Sequence, residues 1–174
     1  MLLLNQYAKD EISKNKMSNI KTKIDIWWNK RARKVAVTNL LIVKPLTTEN
    51  LNGVTEDILI SKLEFHFSKH KKCSLVERKE LKKAMNELKF NSSNLINQET
   101  AISIGKLTAA EFIVSGKVYK LSDKITISIK MMNISTGEIA SIAEISLDNN
   151  AGFSNNKIYT SLTNQIIENS ILKD

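Results

Sequence analysis

The run Val35-Ala36-Val37-Thr38-Asn39-Leu40-Leu41-Ile42-Val43 limits the fold more than any other stretch. A half-exposed strand would alternate apolar and polar residues. This one is nearly continuous, so it reads as a strand buried on both faces. Such a strand needs cover on each side. Pro45 and the polar Thr47-Thr48-Glu49-Asn50 close it.

The segments around it can supply that cover. A helix is expected from about Leu51 to His70, with Val54, Ile58 and Phe65 on one side and Leu59 and Leu63 on another, hence packed on both. A short strand, Ser74-Leu75-Val76, leads into Glu77-Arg78 and a basic helix from Lys79 to Leu88. A further helix runs from about Gln98 to Leu107. Three strands follow, Phe112–Val118, Ile125–Asn133 and Ile139–Leu147. The middle one alternates cleanly, as an antiparallel strand with one exposed face does. A last helix covers about Asn155 to Leu172.

The order predicts an α/β (α+β) domain: a mixed β-sheet ending in a three-strand meander, flanked by helices and preceded by an N-terminal helical tail. The expected division is a basic tail over 1–33 and the domain over 34–174. With 174 residues, 42% of them apolar, a single core can form.

The net charge of +8 is concentrated at one end. Met1–Lys34 holds nine Lys/Arg and three Asp/Glu, which is +6; the rest holds seventeen and fifteen, which is +2. In the tail, Leu4, Ala8, Ile12, Met17, Ile20 and Ile24 recur at helical steps between lysines and asparagines, before Trp27-Trp28-Asn29-Lys30-Arg31-Ala32-Arg33-Lys34. No stretch is long and apolar enough to span a bilayer. Met1-Leu2-Leu3-Leu4 is too short for a signal-peptide core, and its basic residues follow it instead of preceding it.

The inventory of chemistry is short. His66 and His70 share a helix face and Cys73 follows, which is a metal pattern in outline. The nearby Lys69, Lys71 and Lys72 oppose a dication, and no metal site is expected. Cys73 reads as a small half-buried residue. The five glycines are isolated, so no phosphate loop is present. Glu77 and Glu80 suit a helix N-terminus. No catalytic residue, cofactor or small-molecule substrate is expected. Nucleic acid is disfavoured, because the basic helix is interleaved with Glu80 and Glu87 and no strand face carries stacked aromatics. Exposed Trp and Arg are typical interface anchors, so Trp27, Trp28, Arg31 and Arg33 are the candidate contacts to a partner or an anionic membrane surface.

Five landmarks fall in a familiar order: Lys34-Val35-Ala36-Val37; Leu75-Val76-Glu77-Arg78; Ala101-Ile102-Ser103-Ile104-Gly105-Lys106-Leu107; Ala109-Ala110-Glu111-Phe112-Ile113-Val114-Ser115-Gly116; and Asn133-Ile134-Ser135-Thr136-Gly137-Glu138. From Lys34 to Leu147 the chain resembles a bacterial envelope superfamily. Its members include the curli secretion channel subunit CsgG, the flagellar outer-membrane protein FlgO and the penicillin-binding-protein activator LpoB. The resemblance implies a non-enzymatic domain, exported and often tethered to the outer membrane by a lipidated cysteine. No N-terminal lipobox cysteine stands in this sequence. The long β insertion that makes the channel member's barrel is also missing, which points to FlgO-like members first.

The expected function is a cell-envelope scaffold or assembly protein acting by protein–protein contacts, flagellum-associated, at the periplasmic face of the outer membrane. An envelope or flagellar protein is the expected partner, with self-association as a further contact. The alternative within the resemblance is a lipoprotein-type activator of a peptidoglycan synthase. The alternative of another class is nucleic-acid binding through the basic tail.

Overall fold

The computed structural model describes residues 13–24, 31–48, 50–89, 96–148, 153 and 155–170. The chain falls into two units, Met1–Arg31 and Ala32–Asp174. In the first, residues 13–24 form a helix, α1, exposed along its whole length.

The second unit is built on a five-stranded sheet in the order β2-β1-β3-β4-β5. Its strands are β1 (Arg33–Ile42), β2 (Cys73–Leu75), β3 (Phe112–Leu121), β4 (Lys124–Asn133) and β5 (Ile139–Asp148). The helices are α2 (Glu56–Ser68), α3 (Arg78–Glu87), α4 (Gln98–Thr108) and α5 (Asn156–Glu168). β1 runs parallel to both neighbours, β2 and β3, and the last three strands form the antiparallel meander. The mixed α+β sheet read from the sequence is the fold.

β1 is covered on both faces, as its continuous apolar run requires. Val35, Val37 and Leu40 join one core with Leu59, Leu63 and Phe67 of α2 and Tyr159, Leu162 and Ile166 of α5. Ala36 joins a smaller core on the opposite face with Leu81 of α3, Ala101 and Ile104 of α4, and Ile113 and Met132 of the sheet. In β4 the alternation sends Ile125, Ile127, Ile129 and Met131 into the larger core, but the other face is not the exposed one expected, since Thr126 and Met132 on it are buried too.

Local chemistry sets the helix starts. Asn97 caps α4, its Oδ1 accepting from Thr100 N at 2.8 Å, and Asn155 caps α5 through Lys157 N at 3.0 Å. α2 starts later than the expected Leu51. Asn52 and Gly53 both take positive φ, which a continuing helix does not allow, and Thr55 then provides the cap. α2 is also packed on one side only. Ile58 and Phe65, expected inside, are 41% and 50% exposed.

Two landmarks are explained by the fold. Asn133-Ile134-Ser135-Thr136-Gly137-Glu138 is the β4–β5 turn: Asn133 Oδ1 accepts from Ser135 N and Ser135 Oγ, and Gly137 sits at φ +71°. Gly105 lets α4 approach the turn closely, because a Cβ there would collide with the Ile134 side chain.

Candidate interaction surface

Among the four candidate contacts, Trp27 and Trp28 lie outside the described residues. Arg31 is half-buried at the end of the first unit. Arg33 has a place inside the fold. It opens β1, its side chain is 16% exposed, and its guanidinium meets Glu111 at 3.2 Å. The other Glu111 oxygen accepts from Lys34 N at 3.1 Å, and the Glu111 backbone N–H donates to Lys34 O. The Arg33–Glu111 pair therefore pins the start of β1 beside the start of β3.

The three residues of the metal pattern point apart. His66 faces α5, with Nδ1 3.1 Å from Thr160 Oγ1 and its ring stacked on Tyr159. Burial, then Lys69 and Lys62, push the His66 imidazole below its ordinary value. His70 closes a turn, its Nδ1 accepting from Lys72 N at 3.3 Å. Cys73 belongs to the larger core, where burial pushes its thiol up to about 11. Among the described residues, no three His, Cys, Asp or Glu are grouped to hold a metal.

Glu77-Arg78 has a sharper role than a simple strand-to-helix junction. β2 pairs with β1 only as far as Val35, so the next carbonyls of β1 have no strand beside them. Arg78 takes the place of that strand. Its Nη1 donates to Val37 O at 3.2 Å and Thr38 O at 3.3 Å. From α2, Glu64 approaches the same nitrogen at 3.6 Å and Asp57 approaches Nη2 at 3.5 Å. Farther along, Glu56 accepts from Ile42 N at 3.0 Å. Two helices thus cap an exposed sheet edge with side chains.

Arg78, Asp57 and Glu56 line a cleft of about 350 Å³ with Thr38, Asn39, Lys82 and Asn86. It opens where the helices after β1 and β2 depart to opposite faces, the usual crevice of an open α/β sheet. Arg78, on its wall, pairs with Asp57 and Glu64. Glu64 is held above its ordinary value by burial, against the pull of Arg78.

A second surface lies on the meander. On the face of β3–β5 turned away from the larger core, Ile113 and Met132 pack with α4, Lys130 Nζ donates to Ile96 O, and Ser115 and Thr126 are buried as well. Farther along, the cross-strand rows are Ser115–Lys130–Ile142, Lys117–Ser128–Glu144, Tyr119–Thr126–Ser146 and Leu121–Lys124–Asp148. Leu121 is 64% and Ile142 57% exposed, at opposite ends of this patch. Lys117 lies over the Tyr119 ring, 4.8 Å from its centroid. Apolar ends, an aromatic and charges of both signs make a surface suited to another protein. The sequence signal was the alternation of β4, which separates this face from the core-facing one; nothing local showed how much of it would be buried.

No helix among the described residues is long and apolar enough to cross a membrane. No curated protein matches the chain. Among solved structures, it is similar to the LpoB C-terminal domain from Salmonella enterica, at 15% identity and TM-score 0.57, covering 68% of this chain and 84% of that one. The same domain from Escherichia coli gives 16% identity and TM-score 0.56 over the same shares. Lipoprotein GNA1162 from Neisseria meningitidis gives 10% identity and TM-score 0.53, covering 78% and 94%. At these identities the likeness is one of fold. The model of the peptidoglycan-synthase activator LpoB family matches residues 14–144, most of the sequence and all five strands but the end of β5, and the chain belongs to that family.

Proposed function

We propose that this protein is a non-enzymatic activator of a peptidoglycan synthase, acting by protein contact at the periplasmic face of the outer membrane. The match over residues 14–144 carries the reading and favours it over the flagellar association expected from sequence. Exposed apolar side chains on the meander, Leu121 and Ile142, support a reading by surface contact.

The contact surface on this reading is the patch between Leu121 and Ile142, with Lys117, Tyr119 and Glu144 between them. Leu and Ile supply the desolvated anchors and the Lys–Glu row sets the register. The test is the rate of glycan polymerisation by the host's bifunctional penicillin-binding synthases, with and without the chain. One synthase should bind and be stimulated. The double variant Leu121→Ser, Ile142→Ser should lose at least tenfold in binding at an unchanged urea midpoint. Recovery of flagellar basal-body proteins with no synthase would refute the proposal.

A further inference from the structure

The helix of the tail carries an apolar stripe with lysines on both sides. Every residue from 13 to 24 is exposed, including Met17 at 69%, Ile20 at 56% and Ile24 at 55%. At about 100° per residue these three fall within an arc of about 60°. Lys14 and Lys21 lie on one shoulder of the stripe, and Lys16 and Lys23 on the other. The far side holds Asn15, Ser18, Asn19 and Thr22, and Thr22 Oγ1 returns its proton to Ser18 O at 2.9 Å. The twelve residues carry four cations and no carboxylate.

That distribution is specific. A helix meeting an acidic protein needs its cations on the contact face, and a helix in a bundle gains from charges of both signs at the edges of its seam. Here the cations flank the apolar stripe on both sides, and the face opposite is uncharged. Lysines so placed can lay their methylene stems beside the buried stripe and lift the ammonium groups to a plane of phosphates. We infer that α1 lies flat on an anionic lipid surface, with Met17, Ile20 and Ile24 in the acyl boundary and the four lysines at the headgroups. Trp27 and Trp28 follow in sequence after Asp25 and Ile26, and an indole suits the same interface.

The experiment uses the full chain and vesicles of phosphatidylcholine, with or without one part in three phosphatidylglycerol. Both tryptophans of the protein are in the tail, so their fluorescence reports on this segment alone. The chain should sediment with the anionic vesicles only, its emission should shift to the blue, and added salt should release it. Lys14→Gln and Lys21→Gln should each weaken partitioning about fivefold. Met17→Ser with Ile20→Ser should abolish the blue shift at an unchanged urea midpoint. Equal binding to neutral vesicles, or partitioning that ignores the stripe, would overturn the inference. Tight binding to polyglutamate with no preference for anionic vesicles would overturn it in favour of an acidic protein partner.

Discussion

Replacing Arg78 with Met tests whether a side chain can do the work of a missing strand. Methionine keeps most of the apolar stem, so the change isolates the guanidinium. Its Nη1 serves two carbonyls, Val37 O and Thr38 O, and is best counted as one charge-assisted hydrogen bond, ~1.5–3 kcal/mol. The cleft beside it admits water, which can reach the abandoned carbonyls and moves the loss toward the low end. The Asp57 pair adds little, since that carboxylate is 83% exposed. The sum is a loss of about 2 kcal/mol. With a urea m-value of about 2 kcal/mol per molar, the midpoint falls by about 1 M at constant slope. A second measurement separates the parts. In the Arg78→Met background Glu64 is left half-buried without its cation, so adding Glu64→Gln should restore about 1 kcal/mol. A midpoint within about 0.2 M of the parent would refute the edge-capping argument.

Other expectations follow from single contacts. A Cβ on Gly116 would run into the Ser128 carbonyl of the neighbouring strand, so Gly116→Ala should cost at least about 2 kcal/mol in the same denaturation assay. Cys73, with its thiol at about 11, should stay unreactive toward an aromatic disulfide at pH 8 in the folded protein and titrate fully in urea. Two groups shape the pH profile of stability in opposite senses. His66 is lowered from 6.5, so the unfolded chain binds its proton more readily and stability falls as pH drops below 6.5; His66→Asn should remove that slope. Glu64 is raised from 4.5, so the folded state holds its proton more tightly and stability falls as pH rises from 4.5; Glu64→Gln should flatten that part of a thermal-melting series.

Much of the sheet was readable from side-chain pattern. The run from Val35 to Val43 named a strand covered twice, and the Ile125–Met131 alternation named a face turned to the core; both depend only on period and hydrophobicity. The errors came from residues whose fate is decided by distant ones. Ile58 and Phe65 look like core on a helical wheel, but α5 packs against Leu59, Leu63 and Phe67 instead and leaves them at the rim. A long-range partner also goes unseen at Arg33, whose pairing with Glu111, seventy-eight positions away, no local pattern shows. The same holds for Arg78, whose partners on β1 and α2 are invisible in the neighbouring Glu77 and Lys79. Turn chemistry was more local: Ser135-Thr136-Gly137-Glu138 has the composition of a hairpin turn, and Gly137 takes the positive φ there.

The place of β1 in the sheet also governs how the domain forms. The meander β3–β5 joins neighbours through short turns and can assemble early. β1 pairs with β3 across 77 positions, Val35 opposite Phe112, so its entry closes a long loop. Docking of β1 is thus the step with the largest entropic cost, and it alone gives α2 and α3 a common strand to rest on. Until it occurs, the inner edge of β3 stands open to any other strand. Folding yield should therefore fall with protein concentration, and conditions that hasten β1 docking should reverse the loss.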